Sequence, residues 1–172
     1  EQVNHFRKAV KLLDKQDAMR VVAVHRASVA YDKKDIAGAL AIVAKEAKTG
    51  STTGHLRHAD VLGSVHLYTE ALAELRGVIS REPGNAYAYA LMSDILRKNR
   101  FGQVRGAGWQ RNEAIAATLK AAELDDEYKK TRVLAANDAE TGDAGVRLGD
   151  GADLPRAAEI WATIEPEMIA EY

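Results

Sequence analysis

Residues 67–85, LYTEALAELRGVISREPGN, decide the fold class of this chain of 172 residues. Leu72, Leu75 and Ile79 recur at steps of three and four, which predicts an amphipathic helix over residues 68–81. Pro83-Gly84-Asn85 ends that helix, because proline cannot continue it and glycine tolerates positive φ. Asn85 can also cap a helix that begins directly after it. The stretch therefore predicts two helices joined by a short turn.

The same periodicity continues on both sides of this stretch and predicts an all-α chain of about nine helices. Most of these predicted helices are 12 to 15 residues long. Two Gly-rich loops, 101–111 and 142–153, interrupt the pattern. The predicted helices cover about residues 3–13, 18–31, 36–48, 53–65, 68–81, 86–99, 112–124, 128–141 and a last segment that starts near Pro155 and is ended or kinked by Pro166. Asn112 can cap the helix that reaches residue 124.

A small residue opens every second predicted helix, at Ala39, Ala71, Ala114 and Ala157, with intervals of 32, 43 and 43 residues. A larger apolar residue follows each alanine within one or two turns. Small residues let two helices approach closely, and the larger ones fill the space beside the next pair. The spacing therefore predicts helical hairpins that are stable only when they stack on neighbouring hairpins.

Composition narrows the functional classes. The chain has 24 Lys+Arg and 25 Asp+Glu, a formal net charge of −1, and this balance disfavours a nucleic-acid-binding protein. No apolar run is long enough to span a bilayer, and a chain without cysteine suits the cytosol and the periplasm equally, so the compartment stays open. The start at Glu1 without Met suggests a removed targeting segment or a longer chain.

Residues 67–72, Leu75 and Glu82-Pro83-Gly84-Asn85 resemble the second half of a tetratricopeptide repeat, and 86–89 with Leu91 and Leu96 resemble the opening helix of the next. Residues 52–85 make up 34 residues, the unit length of that family. The resemblance implies a right-handed α-solenoid of stacked antiparallel hairpins in a single domain, 1–172. Its parts would be a closing helix, 1–17, and repeats 18–51, 52–85, 86–127 and 128–172.

The resemblance also implies a concave groove, lined by the first helix of each hairpin, that binds a protein or peptide partner. The expected function is a non-catalytic interaction module, either a scaffold or adaptor or a subunit of a larger assembly. The alternative is an accessory helical domain of an enzyme or transport complex, docked permanently by its convex face or its ends. An ordinary solvated helix face would explain the same residues. The groove candidates are His25, Ser28, Tyr31, Arg57, Asp60, Tyr87, Asp94, Arg97 and Lys98.

The two long loops share the fragments Val104-Arg105 and Val146-Arg147, 42 residues apart. In a stack of repeats, insertions at the same joint lie beside each other on one edge. The first loop is basic and the second carries Asp143, Asp150 and Asp153, so the loops could pair with each other or could anchor an acidic partner. Trp109 could be an exposed anchor or could pack on the helix that follows it. The edge candidates are Arg105, Trp109, Arg111 and Arg147.

No catalytic motif stands out. The chain has no phosphate-binding glycine loop, no nucleophile elbow and no His-Glu-x-x-His pattern, so we expect neither an enzyme nor a cofactor. His55, His58 and His66 lie too far apart along one helix to bind a single metal ion, and we expect no metal site.

Overall fold

The computed structural model describes Arg26, Ala30, Lys33 and residues 35–48, 50–142 and 145–164. This part of the chain is all-helical, with seven α-helices, one 3-10 helix and no strand. None of the helices in it is long and apolar enough to cross a bilayer. The predicted helices over 3–13 and 18–31 lie outside the described residues except for Arg26 and Ala30, so the count of nine stays a prediction.

The chain divides into two compact units, Glu1–Glu74 and Leu75–Tyr172, and the boundary falls inside a helix. In the first unit, α1 (Ile36–Ala47) packs against α2 (Thr52–Ser64). The Ser51 hydroxyl caps α2 by accepting a hydrogen bond from the amide of Gly54 at 3.0 Å. The boundary helix α3 (Tyr68–Arg81) has the bounds that its apolar spacing and the Pro-Gly turn predict.

In the second unit, each helix packs against the next along the chain. Asn85 caps α4, as predicted, by accepting from the amide of Ala88 at 3.0 Å, and Asp153 caps α7 in the same way. Pro155 lies in the first turn of α7, where its missing amide hydrogen costs nothing. The elements are α4 (Ala86–Leu96), α5 (Arg111–Leu124), a 3-10 helix (Asp126–Thr131), α6 (Arg132–Ala139) and α7 (Leu154–Trp161).

The repeated alanines are buried where the spacing predicts close helix contacts. Ala39, Ala71 and Ala114 are fully buried, and Ala157 is nearly so. Ala157 belongs to a core cluster in which the small residues of α6 meet Ile115 and Ile160 of the flanking helices. Methyl side chains at these positions bring the helices together, and the isoleucines fill the remaining volume.

Four predicted boundaries are wrong. Helix α7 ends at Trp161, before Pro166. Helix α4 ends at Leu96 rather than near residue 99, because the amide of Asn99 donates to the carbonyl of Gln103 in loop 1 and not to a carbonyl of the helix. The predicted helix 128–141 is divided into the 3-10 helix and α6. Helix α5 begins at Arg111, so the expected cap Asn112 lies inside the helix.

Residues 97–110 (loop 1) and the described part of residues 140–153 (loop 2, described at 140–142 and 145–153) have the same backbone fold, 43 residues apart. Arg105 donates its amide hydrogen to the carbonyl of Arg97, and Leu148 repeats this with Glu140, both at 2.6 Å. The three positive-φ positions of loop 1 (102, 105 and 108) recur in loop 2 (145, 148 and 151). The predicted pairing of Val104-Arg105 with Val146-Arg147 is therefore one residue out of register. Turn geometry, and not the shared letters, sets the equivalence, so that Val104 matches Arg147.

Candidate partner-binding site

The two loops lie against each other, as predicted for insertions at the same joint of neighbouring repeats. A Cβ atom placed on Gly145 of loop 2 would overlap the carbonyl oxygen of Arg105 in loop 1. Arg111 donates from Nη1 to the carbonyl of Thr141 at 2.9 Å, at the start of loop 2. These contacts make the loops one continuous edge of the second unit.

A buried carboxylate binds two arginines of loop 1. Asp138 on α6 is 0% exposed, and its two oxygens accept hydrogen bonds from Nε of Arg97 and Nε of Arg105, each at 2.7 Å. Charge-assisted bonds of this length satisfy the carboxylate and two cations at once. The predicted acids of loop 2 do not take this role: Asp153 caps α7 instead, and Asp143 lies outside the described residues.

Arg97 also organises two hydroxyl groups. Its Nη1 donates to Ser93 at 2.6 Å and its Nη2 donates to Thr118 at 2.7 Å. Thr118 gives its own proton to the carbonyl of Ala114 at 2.9 Å. The 2.6 Å contact between the two hydroxyls therefore has Ser93 as the donor. Both hydroxyl groups therefore already donate their hydrogen to an acceptor within the protein.

This cluster forms the base of a cavity of about 200 Å³ between α4, α5, the 3-10 helix and α6. We call it the α4–α6 pocket. Ala90, Ala121 and Leu134 supply apolar walls, and Asp94, Tyr128 and Thr131 add polar groups. Of the predicted groove residues, the structure brings Asp94 and Arg97 together here, 3.2 Å apart.

Asp94 lies at the mouth of the α4–α6 pocket. Its side chain is 68% exposed, yet neighbouring atoms displace part of its hydration. This desolvation raises the pKa of Asp94 and outweighs the opposing charges of Arg97 and Lys98. The mouth of the pocket is therefore acidic and partly dehydrated, while its base is the ion-paired guanidinium.

Tyr128 contributes a protonated phenol to the pocket wall. Burial raises its pKa, and the negative charges of Asp125 and Glu127 raise it further. Tyr87, another predicted groove residue, also raises the pKa of Tyr128. The side chain of Tyr87 is itself about half exposed.

The cross-link between the end of α4 and α5 has a counterpart 43 residues later between the end of α6 and α7, with the opposite charge. Glu140 stands 43 residues after Arg97, and Trp161 stands 43 residues after Thr118. Glu140 accepts from the indole nitrogen of Trp161 at 2.8 Å and from Nε of Arg147 at 2.7 Å. Burial alone would raise the pKa of Glu140, but these two hydrogen bonds and the charge of Arg147 lower it overall.

The exposed large apolar side chains of the described residues concentrate on the loop edge. Of seven such side chains, only Leu67 and Tyr87 lie elsewhere. Arg100 covers one face of the Phe101 ring, with its guanidinium carbon 4.5 Å from the ring centroid. We give the name loop-edge surface to the five exposed apolar side chains other than Leu67 and Tyr87: Phe101, Val104, Val146, Leu148 and Leu154.

Each of the predicted edge residues is packed or bonded within the chain, which is one of the two roles that the sequence left open. Trp109 is only 7% exposed, so it is packed and is not an exposed anchor. Arg105 binds Asp138, Arg111 binds a loop carbonyl and Arg147 binds Glu140. The arginines hold the loops in place, and the aliphatic residues between them face outward. Lys98 pairs through its backbone with Val104 in an isolated bridge.

The predicted groove residues of the first unit are only partly described. His25, Ser28 and Tyr31 lie outside the described residues. Arg57 and Asp60 are about half exposed and lie 4.0 Å apart on α2, an arrangement typical of a solvated helix face.

Two histidines of α2 share one carboxylate of α3. Nδ1 of His55 lies 2.6 Å and Nδ1 of His58 lies 2.8 Å from the oxygens of Glu74. Burial would raise the pKa of Glu74, but the hydrogen bonds from both rings and their charges lower it overall. His66 points away and stacks on Tyr68. Over the described ranges, no cluster of histidine and carboxylate ligands suits a metal ion.

Sequence reasoning missed Asp138, the hydroxyls of Ser93 and Thr118, and all five residues of the loop-edge surface. Asp138 carried a usable signal, because a charged residue stands inside the alanine-rich helix 132–139 at an inward position. The 43-residue spacing of Ala114 and Ala157 was a second signal. Applied to the loops, it matches Arg105 with Leu148 and indicates that one position is polar in one loop and apolar in the other.

No protein-family model matches this chain, and no curated protein or solved structure is significantly similar to it.

Proposed function

We propose that this protein is a non-catalytic protein–protein interaction module of stacked helical hairpins, similar in plan to tetratricopeptide repeats. It would bind a partner segment through the α4–α6 pocket and the loop-edge surface. The concentration of exposed apolar side chains on the loop edge carries the proposal. Contiguous exposed apolar residues cost free energy in water, and in stable proteins they commonly mark sites that a partner covers.

The contacts within the loop edge support the same function. Arg105 and Arg147 are both ion-paired, and the glycine contact at residue 145 locks one loop on the other. A binding surface that is ordered before the partner arrives loses less conformational entropy on association. The hydroxyl and guanidinium groups at the base of the pocket bind each other, which suits recognition rather than chemistry on a substrate.

Site-specific photo-crosslinking tests this function. A photoreactive phenylalanine analogue is placed at Val104 or at Val146, and the matched controls carry it at the exposed helix positions Ala73 and Ala116. In cells of the source organism, we expect discrete protein adducts from the two loop positions and none from the controls.

Competition makes the test specific. An excess of the unlabelled wild-type chain should remove the adducts, and the Val146→Ser, Leu148→Ser chain should not. Adducts of equal intensity from all four positions would contradict the proposal, as would adducts that no competitor removes.

Permanent docking into a larger assembly is the second candidate, and the difference between the two loops favours it. Arg105 is 30% exposed because Asp138 and Gly145 of the following repeat cover it. Its equivalent Leu148 is 64% exposed, and Leu154, the equivalent of Arg111, is 50% exposed. An isolated subunit of this kind should self-associate in sedimentation velocity experiments, whereas a transient binder should remain monomeric.

A further inference from the structure

Among the groups that line the α4–α6 pocket, Arg97 keeps an unused donor and Asp94 an unused acceptor, and the phenol of Tyr128 adds a hydroxyl to the wall. Arg97 has five N–H groups, and the described part of the chain accepts hydrogen bonds from four of them: Nε, both hydrogens of Nη1 and one of Nη2. Asp94 accepts from Arg97 through Oδ1 only, and its Oδ2 receives no bond from any described residue. A ligand group that satisfies Arg97 and Asp94 together must accept one hydrogen bond and donate another.

Charge selects among the groups that could do this. Asp138 is ion-paired with Arg97 and Arg105, and the charges of Arg97 and Lys98 act on the carboxylate of Asp94. Each carboxylate at the pocket therefore already has cationic neighbours. A cationic ligand would be repelled by the two arginines, and an anionic ligand would be repelled by Asp94. Either ligand would also lose part of its hydration on entering the pocket. A neutral group that is both donor and acceptor faces neither penalty.

The size and direction of the pocket narrow the choice further. A cavity of about 200 Å³ holds one side chain and is below the usual size of sites for larger ligands. The unused acceptor lies at the exposed mouth on Asp94, and the unused donor belongs to Arg97, whose side chain is 8% exposed. A group that bridges mouth and base enters end-on. A terminal carboxamide does this, while a peptide unit within a chain would have to carry its flanking residues into the cavity.

We propose that the α4–α6 pocket binds the side-chain carboxamide of a glutamine or asparagine of the partner. The amide oxygen accepts from Nη2 of Arg97, the amide nitrogen donates to Oδ2 of Asp94, and the aliphatic stem packs on Ala90, Ala121 and Leu134. This inference rests on the proposed interaction function and names what the pocket recognises.

Four small probes of similar size test the assignment on the full chain: butanamide, N-methylpropanamide, butyrate and butylammonium. Each is titrated to millimolar concentration while amide ¹H–¹⁵N shifts of Ala90, Thr118 and Thr131 are followed. We expect butanamide to bind at least about fivefold more tightly than the other three, the ratio that one net hydrogen bond supplies.

Variants connect binding to the pocket. Asp94→Ala should weaken butanamide about fivefold or more, because it removes a charge-assisted acceptor. Ala90→Leu should block the cavity. Asp150→Ala, an exposed acid on loop 2, is the matched control and should leave the affinity unchanged. Circular dichroism confirms that each variant is folded, which is expected because both aspartates are exposed.

Every outcome decides the question. Preferential butanamide binding that depends on Asp94 supports the proposal. Equal binding of N-methylpropanamide overturns end-on carboxamide recognition, and preferred binding of butylammonium or butyrate shows that one charge alone selects the ligand. Shifts from none of the probes also overturn the proposal. Because the loop-edge crosslinks do not involve the pocket, they can persist when the probe test fails, and the two failures are distinguishable.

Discussion

Replacing Asp138 by asparagine keeps the side-chain volume and removes the charge that two arginines share. The asparagine can offer one oxygen, but its amide group turns N–H donors toward the other guanidinium, so at least one charge-assisted bond is lost, worth about 1.5–3 kcal/mol. Arg105 is 30% exposed and can regain water, whereas Arg97 is 8% exposed and cannot. Breaking a buried ion pair typically costs about 3–5 kcal/mol, and because Asp94 still contacts Arg97, we expect about 3 kcal/mol here.

Urea unfolding at pH 7 measures this change directly. The chain has two tryptophans, Trp109 and Trp161, and both lie in the second unit with Asp138, so their fluorescence reports on that unit. Asp150→Asn is the matched control, because an exposed acid should change the free energy of unfolding by less than about 0.5 kcal/mol.

A second substitution tests the cause. Adding Arg105→Gln to Asp138→Asn removes one of the cations left without a counter-charge, and we expect a coupling energy of about 1 kcal/mol in favour of the double variant. A decrease of less than about 1 kcal/mol in the free energy of unfolding for Asp138→Asn would refute the reasoning, since removing a buried carboxylate bonded to two guanidiniums should destabilise the fold by more than that. Additive effects of the two substitutions would show that the carboxylate and Arg105 do not interact.

Three further predictions concern the loops and the hairpins. In thermal melts, Gly145→Ala should lower the free energy of unfolding by about 2 kcal/mol or more, because residue 145 has a positive φ and an added Cβ would overlap the Arg105 carbonyl. The control Gly84→Ala lies in an open turn and should be neutral or slightly stabilising. Glu140→Gln should lower stability by about 1–2 kcal/mol at pH 7. The folded pKa of Glu140 is lowered, so the stability that its charge contributes is complete above the ordinary glutamate pKa near 4.3 and is lost as pH falls through the folded pKa. The melting temperatures of wild type and Glu140→Gln should therefore converge in acid. A difference that stays constant with pH would contradict this expectation. Glu74→Gln should follow the same pH pattern in the first unit, through loss of its bonds to two histidines, as followed by hydrogen exchange of α2 amides.

Local signals predicted the helices well where their ends are encoded nearby. Helix α3 has its predicted bounds because the apolar spacing inside it and the Pro83-Gly84 turn after it both lie within a few residues. The caps at Ser51 and Asn85 are local in the same way, since each bond joins residues three apart. Asn112 was a wrong cap because loop 1 already returns to α4 through a bond from Gln110 to the Leu96 carbonyl, and the next helix starts earlier.

The candidate site was predicted only in part. Asp94 and Arg97 were chosen from their register on a helix, and they do line one pocket. Trp109 was offered as an exposed anchor or a packed residue, and composition could not decide between the two because burial depends on what the rest of the loop covers. The loop-edge surface was missed for the same reason: Val104 and Leu148 look like core residues by their chemistry, and only the turns show that they face outward.

The amino-acid sequence by itself determined that the described chain is helical, where most of its helices begin and end, and that alanines at repeated positions are buried between them. These features depend on neighbours within one or two turns. The tertiary structure decided which charges are buried and which apolar residues are exposed. Asp138 meets Arg97 and Arg105 across 41 and 33 residues, and a bond over such a separation exists only after the intervening helices have packed.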